Sequence, residues 1–421
     1  MVAAYASKGF DIIGVDINQD FVNLLNQGKP PVQETNLEKY LTENKERISA
    51  TQDYKKAVLN SEITFIIVPT PSKENGDFST EYAVNAVKEI GKALKEKEKF
   101  HVVVLTSTVT PGSTEKYLQP VLEEYSGKKC GIDFGLCYNP EFIALGSIIE
   151  NLLNPDFTLV GVSDEKSGQI LSDFYEGICP GKPIKLMNIV NAEITKISLN
   201  TYVTTKISYA NMISELCENI PGGDANVVTN ALGSDTRIGH KYLKGATGYG
   251  GPCFPRDNRA LMYTAKKFGV DLPIAKATDE INKNQIIRLT NLIESVSPNN
   301  GKVGFLGLSY KPHTHVIEES QPVMASKMLS EKGVEVFVYD PSAMDNAKKT
   351  LDKVHFADSF KECINASDVV VISTAWPEFK NIDPADLKQG NKKTIIDCWG
   401  MFPDNCKELV IYISLGVYHK V

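Results

Sequence analysis

Short β-branched segments alternate with longer amphipathic segments in two separate stretches of the chain, and this alternation restricts the fold more than any other sequence feature. Near-continuous runs of Val and Ile separated by helices indicate a parallel sheet covered on both faces. We therefore predict two α/β regions. The predicted strands are Asp11–Asp16, Ile63–Val68, Val102–Leu105, Phe134–Tyr138 and Phe157–Val162 in the first, and Lys302–Leu308, Val334–Tyr339, Val369–Ser373 and Thr394–Cys398 in the second.

The stretch between the two α/β regions lacks this alternation. From Ala192 to about Asn219 there is neither Gly nor Pro, and apolar residues recur at helical spacing, which predicts one long helix. Pro221-Gly222-Gly223 ends that helix, and further helical sequence runs to about Val296, before the linker Ser297–Gly301. The predicted domains are residues 1–187, a central helical domain at 188–296 and a second α/β domain at 302–421.

The composition excludes several classes of protein. Hydrophobic residues make up 42% and charged residues 23% of the 421, an ordinary globular mixture. No segment has the ~18 consecutive apolar residues of a membrane span, and the N-terminus does not read as a signal peptide. The net charge of −7 argues against nucleic-acid binding, although a local basic pocket remains compatible with an anionic small ligand. The eight cysteines form no C-x-x-C pair, which argues against a zinc site and indicates reduced thiols in the cytoplasm.

The first α/β region begins unusually. Asp11–Asp16 reads as the second strand of a dinucleotide-binding βαβ unit, with Asp16 placed to accept hydrogen bonds from an adenosine ribose. Val2–Ser7 then reads as the preceding helix with Gly9 as its C-cap. A strand and a G-x-G-x-x-G turn are expected about 15 residues earlier, and the sequence does not contain them. Either the chain is truncated or its start is misassigned, or this βα element is naturally incomplete and the pyrophosphate site is absent.

One loop cysteine has the surroundings of a nucleophile. Cys253 follows the flexible turn Gly248–Gly251 and is flanked by Pro252 and Pro255, which restrict the neighbouring backbone. Arg256 follows, and a nearby cation favours the nucleophilic thiolate. An isolated loop cysteine is more often a small buried thiol, the interpretation that we apply to the other seven cysteines.

Several motifs occur together in a fixed order, and with them the chain closely resembles the UDP-glucose/GDP-mannose dehydrogenase family over nearly its whole length. The most specific of them is the block from Gly250 to Asp257 (GGPCFPRD). The others are Val68-Pro69-Thr70-Pro71, Ser107-Thr108-Val109, Asn139-Pro140-Glu141-Phe142, Ala192-Glu193-x-x-Lys196-x-x-x-Asn200, Gly307-Leu308-Ser309-Tyr310-Lys311-Pro312 and Tyr339-Asp340-Pro341.

The resemblance implies two Rossmann-like domains joined by the helical domain, and an NAD-dependent four-electron oxidation of a nucleotide sugar at C6 for polysaccharide biosynthesis. The aldehyde formed first would be captured by the catalytic cysteine as a thiohemiacetal, oxidised to a thioester and hydrolysed. Lys196 and Asn200, four residues apart on one helix face, would stabilise oxyanion states. The implied catalytic residues are Cys253, Lys196, Asn200, Asp257, Glu141 and Thr108.

The resemblance also implies ligand contacts and a partner. NAD would be bound by Asp16, Thr70 and Thr108, and the UDP-sugar by Tyr249, Gly250 and Lys311. The protein would form a homodimer through the central helix. Arg237 of the second subunit would then reach the substrate. For Trp376, which follows a strand of the second α/β region, packing and stacking on a uracil ring are both open.

Three departures from the family pattern leave the sugar open. Leu145 stands where enzymes of this family that act on UDP-glucose usually carry a glutamate. The usual Asp-Asp-x-Arg stretch reads His315–Ser320 (HVIEES), and an expected arginine is missing from Asp397–Gly400 (DCWG). A UDP-hexose or a UDP-N-acetylhexosamine is the predicted substrate. The alternative is a catalytically impaired protein that binds a nucleotide sugar without the NAD phosphate loop.

Overall fold

The computed structural model describes residues 1–387 and 392–419, and it divides into two compact units, Met1–Ser198 and Leu199–Val421. The first unit contains the strands β1 (Ile12–Val15), β2 (Ile48–Thr51), β3 (Ile63–Ile66), β4 (His101–Leu105), β5 (Phe134–Tyr138), β6 (Thr158–Val162) and β7 (Ile184–Asn188). Its helices are α1 (Val2–Ala6), α2 (Gln19–Asn26), α3 (Leu37–Glu43), α4 (Tyr54–Leu59), α5 (Glu81–Leu94), α6 (Gln119–Ser126), α7 (Ile148–Leu153) and α8 (Glu165–Ile178), and α9 (Ile189–Asn219) begins in it.

Two sheets form the first unit. β1 and β2 pair in parallel, and a separate five-stranded sheet has the order β3-β4-β5-β6-β7. Every residue of β4 and β5 is buried, as the predicted near-continuous apolar strands require, with α5 and α6 packed in the same apolar core. Burial of each such Val or Leu side chain contributes about 1.5–3 kcal/mol to folding before the entropy cost.

One strand pair departs from the predicted parallel arrangement. β5 and β6 are antiparallel, with Cys137 opposite Val162, whereas β3, β4 and β5 are mutually parallel and β6 is parallel to β7. The connection between β5 and β6 contains only one short helix, the six-residue α7. Each predicted strand lies within two residues of its observed bounds. The apolar pattern, however, carries no information on the antiparallel direction of β6 relative to β5.

The N-terminal helix also ends differently from the prediction. α1 ends at Ala6, and Ser7 is its C-cap in right-handed conformation, so Gly9 is not the cap. The Ser7 hydroxyl donates to the carbonyl oxygen of Ala4 at 2.7 Å. This hydrogen bond satisfies one of the acceptors that the end of a helix leaves without a backbone partner. Gly9, with φ of 94°, supplies the left-handed turn that leads towards β1.

The second unit holds the rest of α9, which starts at Ile189 and not at Ala192, and the helices α10 (Ala225–Gly233), α11 (Phe254–Lys267) and α12 (Pro273–Val296). Its sheet has the order β10-β9-β8-β11-β12-β13, and all neighbours are parallel, as in doubly wound nucleotide-binding folds. The strands are β8 (Val303–Leu306), β9 (Val336–Tyr339), β10 (His355–Phe356), β11 (Val369–Ile372), β12 (Thr394–Asp397) and β13 (Ile411–Ser414), and the helices are α13 (Gln321–Glu331), α14 (Met344–Ala347) and α15 (Phe360–Ala366).

The predicted α/β class, with parallel-sheet regions at both ends and one long central helix, is therefore confirmed. The sequence pattern missed four of the described strands, because β10 has only two residues and β2, β7 and β13 are partly exposed. Across residues 1–387 and 392–419, no helix has both the length and the apolar character needed to cross a membrane.

Candidate active site

A buried lysine and a glutamate backbone meet in the first unit. Lys196 on α9 is 8% exposed, and its Nζ donates to the carbonyl oxygen of Glu141 at 2.5 Å. The same ammonium lies 4.6 Å from the centre of the Phe142 ring, in a cation–π contact. A buried ammonium needs such partners, because its desolvation is otherwise costly. The segment after β5 therefore fixes the head of Lys196.

The Glu141 side chain lies among few polar partners. The residue is partly exposed, but protein encloses its carboxyl group, and this burial raises the pKa of Glu141 to about 7. Tyr5 Oη donates to Glu141 Oε1 at 3.4 Å, and the charge of Lys196 opposes the upward shift of the pKa. A carboxyl group that titrates near neutral pH is suited to general acid–base chemistry.

The predicted NAD contacts fall in two places. Thr70 Oγ1 donates to the carbonyl oxygen of Thr108 at 2.7 Å, so the loops that follow β3 and β4 are fastened together. Ser107 strengthens the junction, since its Oγ donates to Val68 O at 2.7 Å and accepts from Val68 N at 2.8 Å. Asp16 follows β1 of the smaller sheet, where its carboxylate accepts from Asn18 N at 2.7 Å.

Glu193 belongs to the same motif as Lys196 and Asn200, but no function was predicted for it from the sequence. It is fully buried one helical turn before Lys196, and it accepts hydrogen bonds from Gly112 N at 2.5 Å, Thr114 N at 2.9 Å and Thr114 Oγ1 at 2.6 Å. Burial raises the pKa of Glu193 despite these donors. The carboxylate fastens the start of the turn Thr114–Leu118, and with it the segment after Thr108, to α9.

In the second unit, Cys253 is exposed and forms the N-cap of the 14-residue helix α11. A helix N-terminus stabilises negative charge and so favours a thiolate. One turn later on α11, Asp257 is 2% exposed, and its Oδ2 accepts from Asn200 Nδ2 at 2.6 Å. Arg256 Nε lies 3.7 Å from Asp257 Oδ1. The structure thus brings together three of the predicted catalytic residues, Cys253, Asp257 and Asn200.

The glycine turn before the cysteine is held by an asparagine that sequence reasoning missed. Asn282 on α12 accepts from Tyr249 N at 2.7 Å and donates to Tyr249 O at 3.0 Å. A side chain at Gly248 would collide with this asparagine and with Gln321, which explains why a glycine is needed there. Only the tertiary structure reveals this contact, since a lone asparagine on a helix carries no sequence signal.

The loop after β8 lies against the same turn. The Tyr310 ring packs on Gly251, where an added Cβ would lie 2.6 Å from Tyr310 Cε2. Lys311 Nζ lies 5.8 Å from the centre of the Tyr310 ring. Burial, and then the negative charges of Cys253 and Tyr242, raise the pKa of Tyr310 to about 12. The predicted nucleotide loop and the cysteine turn are thus neighbours within the second unit.

Other predicted residues occupy different settings. Trp376 is 7% exposed and donates through Nε1 to Asp340 Oδ2 at 3.0 Å, so the structure favours packing over stacking on a base. The side chain of Arg237 is 87% exposed and bonds Asp235, whereas Tyr249 is buried. The roles of Arg237, Tyr249, Gly250 and Lys311 stay predictions. Six of the seven cysteines expected to be buried are so, but Cys130, in the turn before β5, is partly exposed.

Models of three domains of one family match most of the chain. They are described as the UDP-glucose/GDP-mannose dehydrogenase family NAD binding domain, central domain and UDP binding domain, and they match residues 1–179, 190–284 and 304–404. All the motifs on which the resemblance was based lie within these ranges.

Individual relatives cover almost the same length. The chain is 34% identical over 413 residues to GDP-mannose 6-dehydrogenase of Pseudomonas aeruginosa, with 94% of this chain and 93% of the relative covered. It is 32% identical to UDP-glucose 6-dehydrogenase of Haloferax volcanii, with 91% and 90% covered. Among solved structures, a UDP-glucose dehydrogenase from Pyrobaculum islandicum matches with a TM-score of 0.89 at 31% identity, covering 99% of this chain and 94% of that one.

Proposed function

Because the chain belongs to the UDP-glucose/GDP-mannose dehydrogenase family, we propose that it is an NAD-dependent nucleotide-sugar 6-dehydrogenase that oxidises a UDP-hexose or UDP-N-acetylhexosamine to the uronic acid. One observation carries the proposal: the exposed Cys253 caps α11, one turn from a buried Asp257 that is bound to Asn200. A cysteine with only a structural role is usually buried, whereas Cys253 is exposed at a helix N-terminus beside a buried carboxylate.

The reaction proceeds by two hydride losses from the same carbon. When bound, NAD accepts one hydride in each oxidation, so two NAD are reduced for each sugar. The first oxidation removes the hydroxyl proton and a hydride from C6 and leaves an aldehyde. The Cys253 thiolate then forms a C–S bond to that carbon, and the aldehyde oxygen takes up a proton to give the thiohemiacetal. The thiohemiacetal loses its hydroxyl proton and the second hydride to become a thioester. Water adds to the thioester, the C–S bond breaks, and the uronic acid and the free thiol are released.

The chain's own residues supply charge and protons for these steps. The Lys196 ammonium, already fixed by the Glu141 carbonyl and the Phe142 ring, stabilises the alkoxide of each oxidation. Asn200 holds the Asp257 carboxylate in one orientation, and Asp257 activates the hydrolytic water. Glu141, whose pKa burial raises to about 7, serves as the second acid–base group and compensates for Leu145, which cannot exchange protons. Thr108 assists with the water.

Residues for NAD are present after three strands of the first unit, β1, β3 and β4. The Asp16 carboxylate accepts a single hydrogen bond in the part of the chain that the structure describes, and that bond is local, from Asn18. Its remaining acceptor capacity fits the hydroxyl groups of an adenosine ribose. Thr70 and Thr108, joined by a 2.7 Å hydrogen bond, offer hydroxyl groups at the ends of β3 and β4. These residues fit the cofactor that the family uses.

The second α/β region supplies the nucleotide site. Its family model is a UDP binding domain, and Lys311 with Tyr310 lies in the loop after β8, at the carboxyl end of the sheet where ligands of such folds bind. The relatives include both GDP-mannose and UDP-glucose enzymes, and the altered stretches His315–Ser320 and Asp397–Gly400 leave the identity of the sugar open.

A homodimer through α9 explains the exposed side of that helix. Tyr202, Tyr209 and Leu216 recur every seven residues and are 67%, 44% and 55% exposed. Such a stripe of large apolar side chains is typical of an interface, and a second copy with the same stripe is its fitting occupant. Arg237, exposed in the single chain, would then serve the substrate of the partner subunit. The eight free cysteines support a reducing, cytoplasmic location.

The decisive experiment replaces the nucleophile and counts reduced cofactor. The unaltered protein is expected to yield two NADH per UDP-sugar, whereas Cys253→Ser loses net turnover by about a thousandfold or more, because an alcohol is a far weaker nucleophile than a thiolate. Cys130→Ser, which alters the other accessible thiol, should leave the turnover unchanged. One NADH per sugar with Cys253→Ser unaffected, or UDP-sugar binding without NAD binding in calorimetry, would contradict the proposal.

A further inference from the structure

The loop between β8 and α13, residues 307–320, folds back on itself. Tyr310 N donates to Val316 O at 3.1 Å, and Ser320 Oγ donates to Leu308 O. These bonds bring the start and the end of the loop together, so Tyr310 and Glu319, nine residues apart, present one continuous surface. We call residues 307–320 the nucleotide loop and Gly248–Cys253 the cysteine loop.

Both ends of the nucleotide loop touch the cysteine loop. The Tyr310 ring packs on Gly251, and Gly251 N donates to Glu318 O at 2.9 Å. Next to that bond, the Glu319 carbonyl lies so close to Gly250 that an added Cβ would overlap it. Glu319 itself has φ of 51°, a left-handed conformation that is costly for a residue with a side chain. The strained backbone of Glu319 supports a functional role for its contact with Gly250.

A side-chain bond ties the same residue to the catalytic helix. Glu319 Oε1 lies 3.0 Å from Arg259 Nη2, and Arg259 is on α11, whose N-cap is Cys253. The two side chains are 37% and 40% exposed, so the ion pair by itself contributes little stability. Its position is what matters, because it fixes the direction of the Glu319 segment relative to the start of α11.

We propose that Glu319 is a positioning residue that couples the nucleotide loop to Cys253, so that a nucleotide bound at Lys311 and Tyr310 sets the reactivity of the thiol. The inference rests on the proposed function. A nucleotide that orders the nucleotide loop presses the Tyr310 ring and the Glu319 carbonyl onto Gly250 and Gly251, and the cysteine loop becomes rigid in turn. The cysteine is then aligned for the sugar only when the correct nucleotide is in place.

The test measures iodoacetamide alkylation of Cys253 with and without saturating UDP, whose binding is checked by calorimetry for each variant. In the unaltered protein, UDP should slow alkylation about fivefold, the size of a typical coupling between sites. Glu319→Ala should bind UDP but lose most of this protection, because the ion pair that ties the nucleotide loop to α11 is removed. Glu331→Ala, which removes an exposed carboxylate on α13, is the matched control and should keep full protection.

A second pair of variants alters the other side of the same ion pair. Arg259→Ala should weaken the protection by UDP, and Arg259→Lys, which keeps the charge, should restore it. If Glu319→Ala and Arg259→Ala are both protected as strongly as the unaltered protein, the inference is overturned, since direct shielding of the thiol by UDP would then explain the effect. UDP binding without any change of alkylation in the unaltered protein overturns the inference and leaves the proposed function intact. Failure of the unaltered protein to bind UDP overturns both.

Discussion

Each of the two α/β regions carries an aspartate directly after a strand, Asp16 after β1 and Asp340 after β9, and the two aspartates have opposite surroundings. Among the described residues, Asp16 of the first region accepts one hydrogen bond, from Asn18 in its own turn. In the second region, Asp340 is 1% exposed and accepts from six donors, which are Leu308 N, Ser309 N, Ser309 Oγ, Ser342 N, Ala343 N and Trp376 Nε1.

The difference shows how one fold serves two purposes. Asp340 fastens the turn after β8 to the turn after β9, so it belongs to the scaffold and has no acceptor capacity left for a ribose. Asp397, the last residue of β12, accepts in the same way from the backbone of residues 399–402. In the first region, Asp16 and Glu141 keep acceptor capacity and are available for ligand or chemistry. Glu193 differs from these two acids, since three donors occupy it.

Within this comparison of acids, the largest expected effect concerns Glu141, which keeps acceptor capacity and has a raised pKa. Turnover should rise with pH through about 7 as this carboxyl group becomes a base, and Glu141→Gln should lower turnover about a hundredfold or more and flatten that inflection. Glu150→Gln, a surface carboxylate on α7, is the control that should keep both turnover and pH profile. An unchanged inflection in Glu141→Gln would show that another group titrates, and Glu141 could then not be contrasted with Asp340 as an acid available for catalysis.

The same shift has a stability consequence. The pKa of Glu141 is raised from 4.5 to about 7 by burial, so the folded protein holds this proton more tightly than the unfolded chain. The contribution of Glu141 to the free energy of unfolding therefore falls as the pH rises from about 4.5 to 7 and is constant above that range. Glu141→Gln should remove this dependence in urea unfolding measured across the window.

The next effect concerns Asp340, the aspartate filled by donors. In Asp340→Asn, one acceptor oxygen becomes an NH₂ group that faces buried N–H donors in either orientation, so the free energy of unfolding should fall by about 3 kcal/mol. Urea denaturation followed by the fluorescence of the two tryptophans, Trp376 and Trp399, measures the change. Asp16→Asn is the matched substitution and should alter stability by no more than about 0.5 kcal/mol. Equal losses in the two variants would break the contrast between the regions.

The smallest effect concerns the affinity for NAD. Asp16→Ala removes the charged acceptor proposed for the adenosine ribose, and the dissociation constant for NAD in calorimetry should rise about tenfold while the unfolding free energy stays unchanged. Asp20→Ala, an exposed aspartate on the adjacent helix α2, should leave NAD affinity as it is. Weaker NAD binding in Asp340→Ala but not in Asp16→Ala would reverse the assignment of the two acids.

Much of the fold was readable from local patterns. β5 was predicted at its observed bounds, and the helical region ends at Val296 as predicted, because apolar periodicity and glycine–proline breaks act within a few residues. The antiparallel β5–β6 pair was missed, since strand direction depends on the path of the connection. Cys253 was found through its glycine- and proline-rich neighbourhood, whereas Asn282 and Glu319, which hold that neighbourhood, have no local signal.

The sequence by itself determined which segments become strands and helices and which residue types are available for chemistry, because those properties depend on neighbours along the chain. It placed an aspartate after a strand in both α/β regions and could not distinguish them. Only the tertiary structure decided that six donors converge on Asp340 while Asp16 keeps its oxygens available. The physical reason is that hydrogen-bond saturation and burial are set by residues distant in sequence, and these decide whether an acid supports the fold or remains available to a ligand.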